Sequence, residues 1–586
     1  MVIIKYIKIW MIILFILIQI ITLYVKAYSK DLLYNPNDVN EQLNNQRKDF
    51  LDYQNFQQFK NRIPKQPTQK NTQTLSKNPS SVCFYIDKIS LQSSMLSLQD
   101  KIQKEFKFLT PILKSYTHQC LSAEKITELL NELKLKSLKK GYITTVFGVS
   151  DQDLNNKKLI ITLQTSILKE IEYKDKKNTT RFWGKDYSIR PGDIFTIRPI
   201  DRGLYNLKRL KTLNPIIEIS SINADKNTPI KESKITINNQ SKNLPIYASL
   251  NANNAGSTST GIYQTSLQFG VENLLLLAEI LRVYGLLTPD WKNSHNLYVS
   301  ADFSIPFRRF LFSISGSYSQ YAQNLSVNKN TFSYNGYSAN MDVNGNFLIY
   351  LDNLNQISFN LGLGKRWAKN YIEDIELIPQ RRNLTNIYAN INYIRFISRA
   401  SINLSLGVKQ GIKFLGSMDN FTNSKQYPDF FYTIPTIDAY IYAPFKILNQ
   451  NLAYTSLVKT QVSRGRLYAS EKFGLGGIYS VRGFDSLVLN GEMGILNRND
   501  ITYYLPPFFK ISLAPAIGLD MGYTTDIYKN TDYVSRNNGS LIGGGVGLKF
   551  YWGKYFNAEI WGYHPIYNPN TLKGRYFYAN LGFNWE

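Results

Sequence analysis

At 586 residues the chain exceeds one small domain and has room for two or three folding units. Its 41 Tyr and 32 Phe, beside 35 Gly and an ordinary 43% hydrophobic content, describe a β-rich protein with interfacial aromatic girdles. The net charge of +25 comes from scattered Lys and Arg without a compact basic-aromatic module, which disfavours a nucleic-acid binder and suits a polypeptide or anionic lipopolysaccharide partner.

The first residues carry Lys5 and Lys8 ahead of an apolar run, Ile9 to Val25, which closes on Val25-Lys26-Ala27. That order of basic, apolar and small residues predicts a signal peptide over 1–27, with an uncleaved anchor as the alternative because the run is long. No later stretch approaches spanning length, so the remainder is soluble or a barrel. Over 28–63, Val39, Leu43, Phe50, Leu51, Phe56 and Phe59 recur at roughly helical spacing behind an Asn35–Asp38 turn. Residues 64–81, with Pro64, Pro67 and Pro79 and no acidic residue, read as a flexible linker, so the picture is a helix on a tether.

A first α/β unit is expected over 82–165. Phe84, Ile86 and Ile89 suggest a strand and a weaker helical patch runs through Leu109. Ser122 caps a helix with Ile126, Leu129, Leu130, Leu133 and Leu138 on one face and Gly141 past its end, followed by strands over 142–149 and 158–164. The cysteines are Cys83 and Cys120. Export would favour their pairing, closing a loop of about 37 residues worth roughly 3–4 kcal/mol; two free thiols are the other reading. A second unit over 166–240 reads as a strand at 166–173, a turn at Arg190–Asp193, a helix over 200–213 and strands at 216–224 and 234–238. Leu204, Leu207 and Leu210 share one side of that helix, while Arg202, Lys208, Arg209 and Lys211 form a basic face, read as solvated rather than binding.

From 241 to 586 the texture is period two. Phe310, Phe312, Ile314 and Tyr318 alternate with Leu311, Ser313, Ser315 and Ser317, and Ile402, Leu404, Leu406 and Val408 with Ser401, Asn403, Ser405 and Gly407. One lipid-compatible face and one wet face is what an outer-membrane barrel requires. There are about sixteen such segments, from 245–251 to 576–585, an even number as bacterial barrels have. The last places Phe577, Ala579, Leu581, Phe583 and Trp585 on one face. A long gap separates the eleventh segment (451–462) from the twelfth (494–505). It holds Phe473–Phe484, with Gly474, Gly476, Gly477 and the tetrapeptide Val481-Arg482-Gly483-Phe484.

Chemistry-bearing patterns are lacking. His118, His295 and His564 stand apart from any companion at ligand spacing, no Gly-x-Ser-x-Gly elbow occurs, and Gly362-Leu-Gly-Lys365 is followed by Arg366 inside a strand-like segment. No catalytic, metal or cofactor site is expected, and the chain does not read as an enzyme.

The arrangement resembles the TpsB transporters of two-partner secretion, the group of ShlB, FhaC and CdiB. Cys83-Phe84 with Cys120-Leu121, Lys140-Gly-Tyr-Ile-Thr-Thr145 and Leu159-Ile-Ile-Thr-Leu163 look like that family's first POTRA domain. Arg190-Pro-Gly-Asp193 through Leu207-Lys-Arg-Leu210 looks like its second. Ser470–Phe484, continuing through Gly491–Gly494 and Arg498–Asp500, is similar to its sixth extracellular loop, and Gly518-Leu519-Asp520 to an element of its thirteenth strand. The resemblance implies a sixteen-stranded antiparallel transmembrane barrel preceded by two periplasmic α/β POTRA domains and an N-terminal plug helix. It implies a monomeric translocator, set in outer-membrane lipid and lipopolysaccharide, that secretes an unfolded TpsA-type β-helical exoprotein (a haemolysin, adhesin or contact-dependent toxin) without ATP. Val481, Arg482, Gly483 and Phe484 would fold back into the barrel, with Arg482 meeting Asp520 as a loop–barrel lock, either gating or only pinning. A single pair of that kind would survive reversal of both charges. The rival is a barrel-assembly factor of the BamA or TamA type, with a passive porin further off.

Overall fold

The computed structural model describes residues 83–94, 98–174, 189–222, 232–241, 245–257, 260–288, 295–327, 330–420, 428–485, 488–527, 538–568, 572 and 574–585. The expected signal peptide (1–27), plug helix (28–63) and linker (64–81) lie outside the described residues.

The first module runs β1 (Cys83–Ile86), β2 (Lys88–Ser93), α1 (Gln99–Glu105), α2 (Thr110–Ser115), β3 (Gln119–Ser122), α3 (Ala123–Lys140), β4 (Val146–Val149) and β5 (Lys158–Gln164). β5 lies between β2, parallel to it, and β4, antiparallel, while β1 and β3 form a separate antiparallel pair. The Ser122 hydroxyl accepts the Lys125 N–H at the start of α3, and Gly141 ends it at φ 99°, a left-handed value that glycine adopts without a Cβ clash. Leu129, Leu133 and Ser137 form its buried row, at steps of one helical turn. Leu138, expected on that face, is turned about 100° from Ser137 and is exposed. The strand expected from Tyr142 begins at Val146, because a turn with the Thr145 N–H bonded to the Tyr142 carbonyl intervenes.

Cys83 on β1 and Cys120 on β3 are joined as a disulfide with Cα atoms 5.5 Å apart and a separation of 37 in sequence. Loop closure of that length stabilises by about 4 kcal/mol in the chain-entropy picture. A Cys83→Ser, Cys120→Ser double variant is therefore expected to melt its first module well below the oxidised parent. Equal melting curves for the oxidised parent and the variant would refute the estimate.

The second module contains β6 (Ile167–Tyr173), α4 (Arg198–Leu207), β7 (Leu213–Ile222) and β8 (Glu232–Ser241), with β8 between parallel β6 and antiparallel β7. The Arg190–Asp193 turn is closed by the Asp193 N–H on the Arg190 carbonyl (3.0 Å) and the Arg190 N–H on the Asp193 carboxylate (2.8 Å). α4 stops at Leu207 instead of running to Leu213. The Leu210 N–H bonds the Leu207 carbonyl in a tight turn, burying Leu210 and letting Thr212 donate twice to Glu272, both at 2.9 Å. The basic face is not simply solvated. Arg209 donates to Ser304 (2.7 Å), Lys211 stands 4.4 Å over the Tyr247 ring and Asn206 donates to the Arg308 carbonyl (3.2 Å), so this side of the module docks on the barrel rim.

The barrel begins with β9 (Ile246–Asn253), β10 (Gln264–Glu272), β11 (Ile280–Leu287), β12 (His295–Phe307), β13 (Phe310–Val327), β14 (Asn330–Leu351), β15 (Asn355–Ile372) and β16 (Arg382–Ile397). It continues through β17 (Ala400–Gly411), β18 (Thr433–Ile447), β19 (Gln450–Gln461), β20 (Met493–Tyr504), β21 (Ile511–Thr525), β22 (Gly539–Trp552), β23 (Phe556–Tyr567) and β24 (Phe577–Trp585). Neighbours pair antiparallel, a two-residue strand at Ile375–Glu376 is appended to β15, and β24 closes on β9 from Asn580↔Asn253 to Trp585↔Ala248. Each of the sixteen segments read from periodicity falls on one of these strands.

Alternation has the physical meaning expected of it. On β13, Phe310, Phe312, Ile314 and Tyr318 face outward at 41–48% exposure, while Ser319 points inward and hydrogen-bonds Ser338 on β14 at 2.8 Å. Connections at the module end are short. Leu448 and Asn449, at φ 49° and 62°, make the two-residue turn between β18 and β19. The far end carries the longer connections, and the one between β19 and β20 is the sixth of them.

Candidate functional site

The β19–β20 connection turns back into the barrel. Two three-residue strands, Phe473–Leu475 and Leu489–Gly491, pair antiparallel and form the base of its inner hairpin. Val481 and Phe484 are fully buried with Leu475, Leu489, Leu496 and Leu541, so the tip is held by an apolar cluster inside an otherwise polar lumen. Between them sits Arg482, also fully buried.

A buried guanidinium requires opposite charge and filled donors. Arg482 Nε donates to one oxygen of Asp520 (2.6 Å) and Nη2 to the other (2.6 Å), a bidentate fork, and the Arg482 backbone N–H adds a third bond at 3.0 Å. Nη1 forms an ion pair with Asp500 at 2.6 Å, and Nη2 also donates to the Asn499 carbonyl at 3.1 Å. The guanidinium lies 4.9 Å from the Trp561 ring and 6.0 Å from that of Tyr563. The arginine thus answers two carboxylates on adjacent strands, β20 and β21. Arg498, opposite Asp520 in register, donates to the Ile478 carbonyl and brings a second positive charge.

Space for the tip comes from missing side chains. A Cβ on Gly543 of β22 would stand 1.7 Å from the Arg482 carbonyl oxygen, and one on Gly518 of β21 2.3 Å from its guanidinium. The β22–β23 register shifts between Ile542 and Gly543, opening the wall where the loop backbone arrives. Gly483 takes φ 93° with its own Cβ position 2.8 Å from the His564 backbone, so both conformation and space require glycine there.

Further contacts that sequence reasoning had not singled out hold the loop. Asp485 pairs with Arg575 at 2.9 Å, and Arg575 also donates to the carbonyls of Asn254 and Gly256, both at 2.6 Å, across the β24–β9 seam. At the base Lys409 meets Glu471 at 2.6 Å, and Glu492 accepts the N–H groups of Ile527 (2.8 Å) and Leu467 (3.3 Å). Glu471, Glu492 and Asp500 fall within the loop motifs of the chain, and period-two alternation puts Arg498 and Asp500 on one face, but those motifs do not name their partners. Arg575→Ala is expected to loosen loop and seam by about 1–3 kcal/mol, seen as a lower unfolding temperature of the folded barrel. An unchanged temperature would show the clamp to be idle.

The haemolysin secretion/activation protein ShlB/FhaC/HecB profile matches residues 231–550, more than half of the chain. The chain belongs to this family. The ShlB-type POTRA domain profile matches residues 95–165, the body of the first module. Outer membrane transporter CdiB-2 of Burkholderia pseudomallei (strain 1026b) is 25% identical over 501 residues, covering 83% of this chain and 84% of that protein. Hemolysin transporter protein HpmB of Proteus mirabilis is 23% identical over 452 residues, covering 76% and 77%. Among solved structures, CdiB from Escherichia coli superposes with a TM-score of 0.80 at 20% identity, covering 95% of this chain and all of that one, which speaks for the fold. As a ShlB/FhaC/HecB member the chain is an outer-membrane transporter of two-partner secretion, its barrel in the membrane and its POTRA domain in the periplasm. The alternative of a barrel-assembly factor gives way to transport.

Proposed function

We propose that this transporter captures an unfolded TpsA-type exoprotein in the periplasm and passes it through the lumen past the loop that Arg482 anchors. The observation that carries the reading is the buried Arg482–Asp520–Asp500 cluster, which holds an extracellular loop inside a barrel whose other mouth is flanked by two α/β modules. Capture by main-chain pairing suits an unfolded chain, because it demands little of the cargo's sequence. β7 is the edge best placed for it. The outer edge of β6 is occupied by the turn from Gly192 to Phe195, through Leu168 N–H to Asp193 O (2.9 Å) and Phe195 N–H to Ser166 O (2.9 Å). Among the described residues β7 pairs with β8 alone.

The segment 28–63 serves in this reading as a plug tethered by 64–81, and folding of the exoprotein outside the cell supplies direction without nucleotide hydrolysis by this chain. The cargo is a haemolysin, adhesin or contact-dependent toxin, and the working unit is one barrel in lipid and lipopolysaccharide. The relatives named as CdiB and hemolysin transporters make those cargo classes the first to try. Photo-crosslinkers placed at Glu218 on β7 and at Glu170 on β6, in cells making the exoprotein, test the capture step. Secreting cells should yield adducts at Glu218; adducts confined to Glu170 would reject the assigned edge.

A further inference from the structure

A basic cleft lies where both modules meet the barrel rim. Its volume is about 320 Å³, and six cations line it: Lys136, Lys139 and Lys140 from the end of α3, Arg198 and Arg202 from α4, and Arg309 from the β12–β13 turn. The rest of the lining is Leu348–Leu351 of β14, with no carboxylate. Two acids adjoin the cleft, Asp352 and Asp201. Asp352 accepts the Tyr350 hydroxyl (2.7 Å) and the N–H groups of Leu354 and Asn355 within its own turn. Burial pushes the Asp201 carboxyl up, against the pull of Arg198, Lys208 and Arg202.

Arg198 builds the cleft. It donates to the Leu351 carbonyl at 2.7 Å and to the Lys139 carbonyl, tying α3, α4 and the barrel into one joint. The helix dipole favours Lys139 and Lys140 at the C-terminus of α3, and Arg202 and Arg309 reach the same cleft from other elements. Six cations against the two adjoining acids, Asp201 and Asp352, leave the cleft net positive, which favours an anion there.

We infer that this joint binds the phosphate headgroup of an anionic phospholipid from the periplasmic leaflet. Position and polarity both select a lipid over a soluble anion. The cleft borders the outward face of the barrel, where Ile349 and Tyr350 are 43% and 44% exposed and Tyr350 stands opposite Ile357 in register. Arg198 lies 5.9 Å over the Tyr350 ring, and the exposed Phe310 and Phe312 continue the apolar surface along β13. A phosphate can therefore rest among the cations while its acyl chains run over these side chains into the bilayer. Occupancy would hold the modules beneath the barrel mouth.

Native mass spectrometry of the full-length transporter, released from nanodiscs of phosphatidylethanolamine with and without phosphatidylglycerol, tests this. The comparison is a Lys136→Gln, Lys140→Gln, Arg309→Gln variant that keeps Arg198 and whose folding is checked by heat-shifted electrophoretic mobility. Wild type should retain phosphatidylglycerol preferentially, and the variant should lose that preference roughly a hundredfold, at about a factor of five per cation. Equal retention by the two proteins would overturn the assignment. So would displacement by glycerol phosphate at matching concentration, which would mark a site for soluble anions, or capture of acidic peptide without any lipid preference. Failure here would leave the transport reading untouched.

Discussion

An Arg482→Ala transporter is expected to reach the outer membrane as a folded barrel and to secrete its exoprotein at least roughly tenfold less than wild type, since loss of one partner from a buried ion cluster costs about 3–5 kcal/mol. The substitution strands Asp520 and Asp500 together, both buried, with the fork and the Nη1 pair gone. The loop tip then has less reason to stay on the wall. Exoprotein in the medium measures the effect, and heat-shifted mobility confirms the barrel. Normal secretion would reduce the cluster to a pin. Arg482→Lys keeps the charge but loses the planar fork and should fall between. The double reversal Arg482→Asp with Asp520→Arg is not expected to restore secretion, contrary to the simple pair expected from sequence. The new carboxylate would face Asp500, and the new guanidinium would stand beside Arg498, its register partner.

The second large effect is expected from Gly543→Val. Its Cβ would come within 1.7 Å of the Arg482 carbonyl oxygen, a backbone atom that cannot swing aside as a side-chain end does. The tip must leave its slot, exposing Val481, Phe484, Leu475 and Leu489, each worth about 1.5–3 kcal/mol of burial. Planar-bilayer recording should then show a larger and noisier conductance than wild type, together with reduced secretion. An unchanged conductance would mean that the seated loop does not obstruct the lumen.

Much of the architecture was legible in the chain because it rests on local rules. The alternation of β13 or β17 is a property of one strand, dictated by lipid on one side and water on the other, and it survives any uncertainty about neighbours. Ser122 and Gly141 bracket α3 by capping chemistry that involves only a few adjacent residues. Where a boundary depended on something distant, the reading slipped. α4 ends at Leu207 because Leu210 must enter a core and Thr212 must reach Glu272 on the barrel, and no local pattern in 198–213 announces either demand.

The site divides in the same way. Arg482, Gly483 and Asp520 were singled out from their motifs and from the resemblance those motifs carry. Asp500 as the second carboxylate, Trp561 and Tyr563 under the guanidinium, the gap at Gly543 and the Arg575 clamp were not. These groups come from β20, β22, β23 and the connection ahead of β24, and they converge because the barrel closes and its sixth far-end loop folds inward. Spacing along a chain records which face a side chain takes. Which other faces it meets is set by closure and register, and for Arg482 that made an expected pair into a buried cluster with two carboxylates.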